Sequence, residues 1–72
     1  MTDLQFLCSR TVAHMQREFN AHKDMTIVYK VLAEDVPYIA AELASRSHLP
    51  YNTCVDVAVR ECAAMFTNYR QV

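Results

Sequence analysis

The sequence predicts a mainly helical fold with one short strand, in the order helix, strand, helix, helix, with the strand paired to its own copy in a symmetric homodimer. Three observations carry this. Met25 to Leu32, MTIVYKVL, is rich in β-branched and aromatic residues at Thr26, Ile27, Val28, Tyr29 and Val31, with no Pro or Gly among them, which is the composition of a strand. The segments on either side carry apolar residues at helical steps, so neither offers a second strand. The chain also contains no glycine, which leaves no tight hairpin to fold the strand back on a neighbour. A strand's backbone donors and acceptors must be paired, and the same strand of a second copy, antiparallel about a two-fold axis, is the simplest partner.

Taken in order, the first element is a helix from Thr2 to about Asn20. Thr2 with Gln5 has the form of a capping box, and Leu4, Leu7/Cys8, Thr11/Val12, Met15 and Phe19 recur at three- and four-residue steps as one apolar stripe. Gln5, Ser9, Arg10, Gln16 and Arg17 lie mostly off that stripe and form a wet face. Asn20 to Asp24, NAHKD, is a polar turn into the strand. Residues 1–24 are thus an N-terminal amphipathic helix and turn, and residues 25–72 a strand-helix-helix dimerisation unit, within one domain.

After the strand, Asp35 reads as an N-cap with Pro37 in the first turn, where a missing N–H costs nothing. Val36, Ile39, Ala40, Leu43 and Ala44 then make a short stripe, and the helix ends near Ser45 or Arg46. Ser47, His48 and Leu49 form a connector, and Pro50 opens the last helix. There Val55, Ala58/Val59, Cys62, Met65/Phe66 and Tyr69 repeat at helical spacing, while Asp56 and Arg60 form an i,i+4 pair of favourable polarity. This last helix is the expected core helix.

At 72 residues the chain is one domain, and a chain this short buries only about 60% of its unfolded surface, which dimerisation would relieve. Its hydrophobic fraction of 53% against 21% charged residues indicates a folded chain. Three cysteines with no CxxC give no disulfide framework and point to a reducing, cytoplasmic setting. Neither a secretion signal nor a membrane span is expected, since Asp3 stands at the N-terminus and no long apolar run is present. Net charge is −1, so no overall basic excess draws the chain to nucleic acid.

A strand followed by two helices, with AELASRSHLPYNTCVDVAVREC across the connector, resembles the ribbon-helix-helix proteins of the Arc, MetJ and CopG type. Leu49, Asn52, Val55 and Ala58 fall where that family places an inter-helix apolar residue, a small polar residue, a core aliphatic and a small core residue. Pro50-Tyr51-Asn52-Thr53 looks like the Pro-Tyr-Gln-Thr helix opening of some antitoxins of this family. The likeness covers roughly residues 25 to 66. It departs at Ala33, where a proline often stands, in a connector without glycine, and in a strand whose only charged residue is Lys30.

The resemblance implies a small dimeric transcriptional repressor or antitoxin that lays a two-stranded ribbon in the DNA major groove. With Ile27, Tyr29 and Val31 facing the dimer core, alternation along the strand turns Thr26, Val28 and Lys30 toward the bases. The opposite register would bury Lys30 as an unpaired ammonium. Asn52 and Thr53, among the free N–H groups at the start of the last helix, would meet phosphates. Val55, Ala58, Val59 and Cys62 complete the expected dimer core.

Each signal also has a plainer reading. The strand can be only a dimer seam, Asn52 and Thr53 can simply cap their helix, and Tyr51, Phe66 and Tyr69 pack rather than stack on bases. Cys54 and Cys62 fit as small core hydrophobes. His14, His22 and His48 with a cysteine lack metal-ligand spacing, so no metal or cofactor is expected. No glycine loop or nucleophile pattern supports catalysis, and the chain reads as a non-enzyme. Beside the DNA-binding reading stands a protein-binding module, a small inhibitor or adaptor, that engages its partner through the first helix or a helix groove.

Overall fold

The computed structural model describes residues 3–70, with side chains through residue 68, and they form three helices: α1 Asp3–His22, α2 Met25–Ser47 and α3 Tyr51–Arg70. Among the described residues there is no strand. The expected helix-strand-helix-helix order and its strand-paired homodimer are therefore overturned. So is the resemblance to ribbon-helix-helix proteins, because a ribbon requires a strand and residues 25–32 are the opening turns of α2.

The reason lies in how far the apolar spacing extends. Val28, Val31, Val36, Ile39 and Ala40 are buried, with Met25 and Leu32 packed against the same cluster. Their steps of three, four and five residues form one helical stripe that runs through the whole of α2. Preference for β-branched residues in strands spans only about 1 kcal/mol and yields to packing. A helix also pairs its own backbone groups along its length, so the need for a second copy to satisfy a strand edge disappears.

Local signals fix the ends of α2. Asp24, in extended conformation at φ −129° and ψ 117°, accepts the Thr26 N–H at 2.9 Å, which places the N-cap eleven residues before the expected Asp35. Asp35 instead faces α1, where its carboxylate accepts from the Thr11 hydroxyl at 2.9 Å. Pro37 lies inside the helix and cannot donate to the Ala33 carbonyl, a loss made tolerable by Ala33 being on the exposed side. With no glycine available, two other residues take the left-handed conformation that closes a helix. Lys23, at φ 55°, donates its N–H to Phe19 O at 2.7 Å, and His48, at φ 62°, donates to Ala44 O at 3.1 Å.

Only Lys23 and Asp24 join α1 to α2, and Thr11 and Asp35 lie almost symmetrically about that link, as in an antiparallel hairpin. His48, Leu49 and Pro50 turn the chain into α3, which packs on both other helices. The radius of gyration is 12.0 Å, close to the roughly 11 Å of a compact chain of this length. Cys8, Val12 and Met15 from α1 meet the α2 stripe and Ala58, Cys62 and Phe66 from α3. Phe19 sets its ring edge-on to Phe66 at 6.0 Å, and Lys23 Nζ lies 5.8 Å from the Phe19 ring.

The first helix lies as its periodicity indicates, with Cys8, Thr11, Val12 and Met15 buried, though Gln16 belongs inside rather than on the wet face. Its amide reaches Phe66 O at 3.5 Å. In α3 the buried line is Cys54, Ala58, Cys62 and Phe66; it shares Ala58, Cys62 and Phe66 with the expected stripe but leaves Val55 half-buried and Val59 37% exposed. Thr2 of the expected capping box and the Tyr69 side chain lie outside the described residues.

Two mutational outcomes follow. Val28→Asp should unfold the chain by placing an unpaired charge in the core, whereas Tyr29→Ala should stay within about 0.5 kcal/mol of the parent, because Tyr29 is 62% exposed. Urea denaturation followed by circular dichroism checks both, and equal sensitivity at the two positions would contradict the helical spacing. His48→Gly should raise stability by about 0.5–1 kcal/mol through relief of the left-handed strain, read from the same midpoint. Lys23→Gly should gain less, since it also gives up the contact with Phe19.

Candidate functional site

The residues expected to contact DNA are scattered by the helical fold. Thr26 and Lys30 are exposed on α2 while Val28 is only 1% exposed, so the three share no outward face. Of the expected dimer core, Val31, Ala58 and Cys62 are buried within this one chain, Ile27 and Val55 are half-buried, and Tyr29 and Val59 face outward. Asn52 and Thr53 sit exposed in the first turn of α3, well separated in sequence from the start of α2. No sheet brings these positions together.

What the fold does assemble is a groove of about 480 Å³ between α1 and α2. One wall is the α1 series Leu7, Arg10, His14 and Arg17, at steps of three and four that align them along the helix. The opposite wall is Tyr38, Ile39 and Glu42 of α2. Thr11 and Asp35 close the floor through their hydrogen bond, which ties the two walls together.

The charges in this groove are unevenly satisfied. Glu42 is held by Arg46 Nε at 2.9 Å, and Asp35 has the Thr11 hydroxyl. His14 Nε2 stands 3.5 Å from Glu18 Oε1, and His22 approaches the other oxygen of the same carboxylate at 3.4 Å. Arg10 and Arg17 have no hydrogen-bond or ion-pair partner among the described residues. Sequence spacing explains the contrast: Arg46 and Arg60 each have a carboxylate four residues back, whereas no Asp or Glu lies three or four residues from Arg10 or Arg17.

Large exposed rings lie beside those guanidinium groups. Tyr38 is 79% exposed at the lip of the groove, and Phe6, 69% exposed, stands one turn before Arg10 on the same helix. The outward stripe of α1 therefore reads Phe6, Arg10, Ala13, Arg17. On its far side Arg17 also borders a second, more apolar groove of about 390 Å³ between α1 and α3, lined by Val12, Ala13 and Met65. Reading the sequence placed Arg10 and Arg17 on a wet face but missed Tyr38. The signal available for the arginines was the absence of a carboxylate at helical spacing.

Among the described residues no group of three metal-ligating side chains converges. None of their helices is long and apolar enough to cross a membrane. In comparisons with known proteins, no family model, no curated protein and no solved structure matches the chain.

The floor of the groove gives a direct test of its rigidity. Thr11→Val removes the donor from a half-buried carboxylate, and a double-mutant cycle with Asp35→Ala should return a coupling of about 1.5 kcal/mol in unfolding free energy. A coupling near zero would mean that this bond does not hold α1 against α2.

Proposed function

We propose that this chain is a non-enzymatic protein-binding module whose α1–α2 groove takes an acidic segment of a partner protein in a cytoplasmic setting. The observation that carries this reading is the pair of guanidinium groups at Arg10 and Arg17, with no partner among the described residues, on one wall of a groove whose carboxylates are already engaged. A partner carboxylate placed there gains charge-assisted hydrogen bonds without displacing an existing ion pair of either arginine. Exposed Phe6 and Tyr38 beside the arginines add the residue types that dominate binding energy at protein interfaces. The three cysteines, all as free thiols, support the reducing compartment.

This reading keeps the first helix as the contact element. The ribbon that would have read DNA is absent, so the base-reading role of Thr26, Val28 and Lys30 is not carried forward. Neither is the strand-based reason for a homodimer.

The test uses isotope-labelled protein titrated with synthetic peptides in which Asp and Glu alternate with Leu and Phe, with Lys-rich peptides of the same apolar pattern as the control. Shifts should concentrate at Arg10, Arg17 and Tyr38 for the acidic series alone. Arg10→Glu with Arg17→Glu should lower affinity at least tenfold and leave the helix content unchanged, since each charge-assisted bond lost costs about 1.5–3 kcal/mol. Equal response to both peptide series would sink the proposal. Binding of duplex DNA at the same residues, with the steep salt dependence of phosphate contacts, would replace it with a nucleic-acid reading.

A further inference from the structure

The groove between α1 and α2 has helical walls, and the residues that face into it recur every seven. On α1 they are Leu7, Arg10, His14 and Arg17, at steps of three, four and three. On α2 they are Asp35, Tyr38 and Glu42, at steps of three and four. That alternation is the seam one helix presents to another packed nearly along its own axis. Two antiparallel helices joined by a short link leave such a trough, and a further helix laid in it completes a bundle. From Leu7 to Arg17 the wall runs about 15 Å, close to three helical turns.

We infer that the acidic partner segment docks as an α-helix along this groove, setting two carboxylates seven residues apart against Arg10 and Arg17. The inference rests on the groove reading and specifies the shape and charge pattern of the occupant. Arg10 and Arg17 lie seven residues apart on one helix face, so their backbone origins are separated by about 10.5 Å along the axis. Seven residues of a partner helix span the same distance and return to the same face. An extended segment does not match, since its same-face residues fall at about 6.7 or 13.4 Å. A helix therefore meets both guanidinium groups in register, where an extended chain meets one. His14, between the two arginines, is turned to Glu18 Oε1 at 3.5 Å, which leaves the guanidinium groups as the charges offered.

The second wall restricts the partner further. Asp35 and Glu42 are already held by Thr11 and Arg46, and a carboxylate brought against them meets like charge. The partner's acidic residues therefore belong on its side toward α1, with apolar residues three or four positions away meeting half-buried Leu7 and exposed Tyr38. A second copy of this chain does not supply such a helix. Asp35 and Glu42 are its only carboxylates seven residues apart, and both are engaged within the groove itself.

The experiment titrates the full chain, isotope-labelled, with peptides of about 20 residues held helical by a side-chain cross-link away from the acidic face. One peptide carries two Glu seven residues apart on one face with Leu between them. A second has the same composition with the Glu on opposite faces, and a third keeps the seven-residue spacing but is interrupted by prolines and not cross-linked. The first should bind at least about tenfold tighter than the other two, the factor expected for one charge-assisted bond gained, with amide shifts along both walls. Arg10→Ala and Arg17→Ala, both at exposed positions, should each bring the first two peptides within about twofold of one another, because a single guanidinium does not sense spacing. Equal affinity of the first two peptides for the parent chain, or equally tight binding of the proline-interrupted one, would overturn the inference and leave the groove reading in place. No binding by any acidic peptide, the alternating Asp/Glu series included, would overturn both. A peptide response that weakens as protein concentration rises, with self-association lost in Arg10→Ala, would make a second copy the occupant and likewise overturn the inference.

Discussion

Small side chains at the centre of the three-helix core are the constraint on which this structure depends. Cys8, Ala40, Cys54, Ala58 and Cys62 are all fully buried, and none is larger than a thiol. Small residues at the contact points let helix axes come together, whereas Leu or Phe at the same positions would hold them apart. Among the fully buried side chains of the described residues only Met15 and Val28 are larger, with Val12, Val31, Val36, Ile39 and Phe66 buried around them. A methyl group added at Ala58 or Cys62 would be felt throughout, since protein cores are packed as densely as organic crystals and have little slack to absorb it. The grooves on either side of α1 are lined by its own polar side chains, Arg10 and His14 toward α2 and Ser9 and Gln16 toward α3.

Most of the helical content was legible. The stripe Leu4, Leu7/Cys8, Val12, Met15, Phe19 defined α1, and Pro50 marked the start of α3 within one residue. What failed was the period assigned to Met25–Leu32. Over eight residues a β-branched run cannot be distinguished from part of a buried helix by composition, and only continuation of the stripe to Ile39 and Ala40 decides the matter. The same error displaced the cap, because Asp35 looks like an N-cap only if a helix is to begin there, while Asp24 occupies that role eleven residues earlier. In α3 both Ala58 and Val59 were read as core, and only Ala58 is buried, because hydrophobicity alone does not tell which of two adjacent positions faces the other helices.

The groove was less legible than the fold. Charged residues on an amphipathic helix are ordinarily solvated, and nothing in the spacing of Arg10 and Arg17 says that Tyr38 and Glu42 will stand opposite. That relation depends on the link at Lys23 and Asp24 folding α2 back so that Thr11 meets Asp35. A chain without glycine achieves the reversal with a lysine in the left-handed region, and the backbone cost is offset in part by the Lys23 contact with Phe19.

Pro37 divides α2 in a way that bears on motion. The rung from residue 37 to Ala33 is missing from the hydrogen-bond ladder, so the helix is not one uniformly cooperative rod. Fraying that begins at the His48 end meets this gap before it reaches the half anchored by the Asp24 cap and by burial of Val28 and Val31. The C-terminal half of α2, which carries Tyr38 and Glu42, is thereby expected to open more readily than the first, with amide hydrogens beyond Pro37 exchanging on a shorter timescale than those before it.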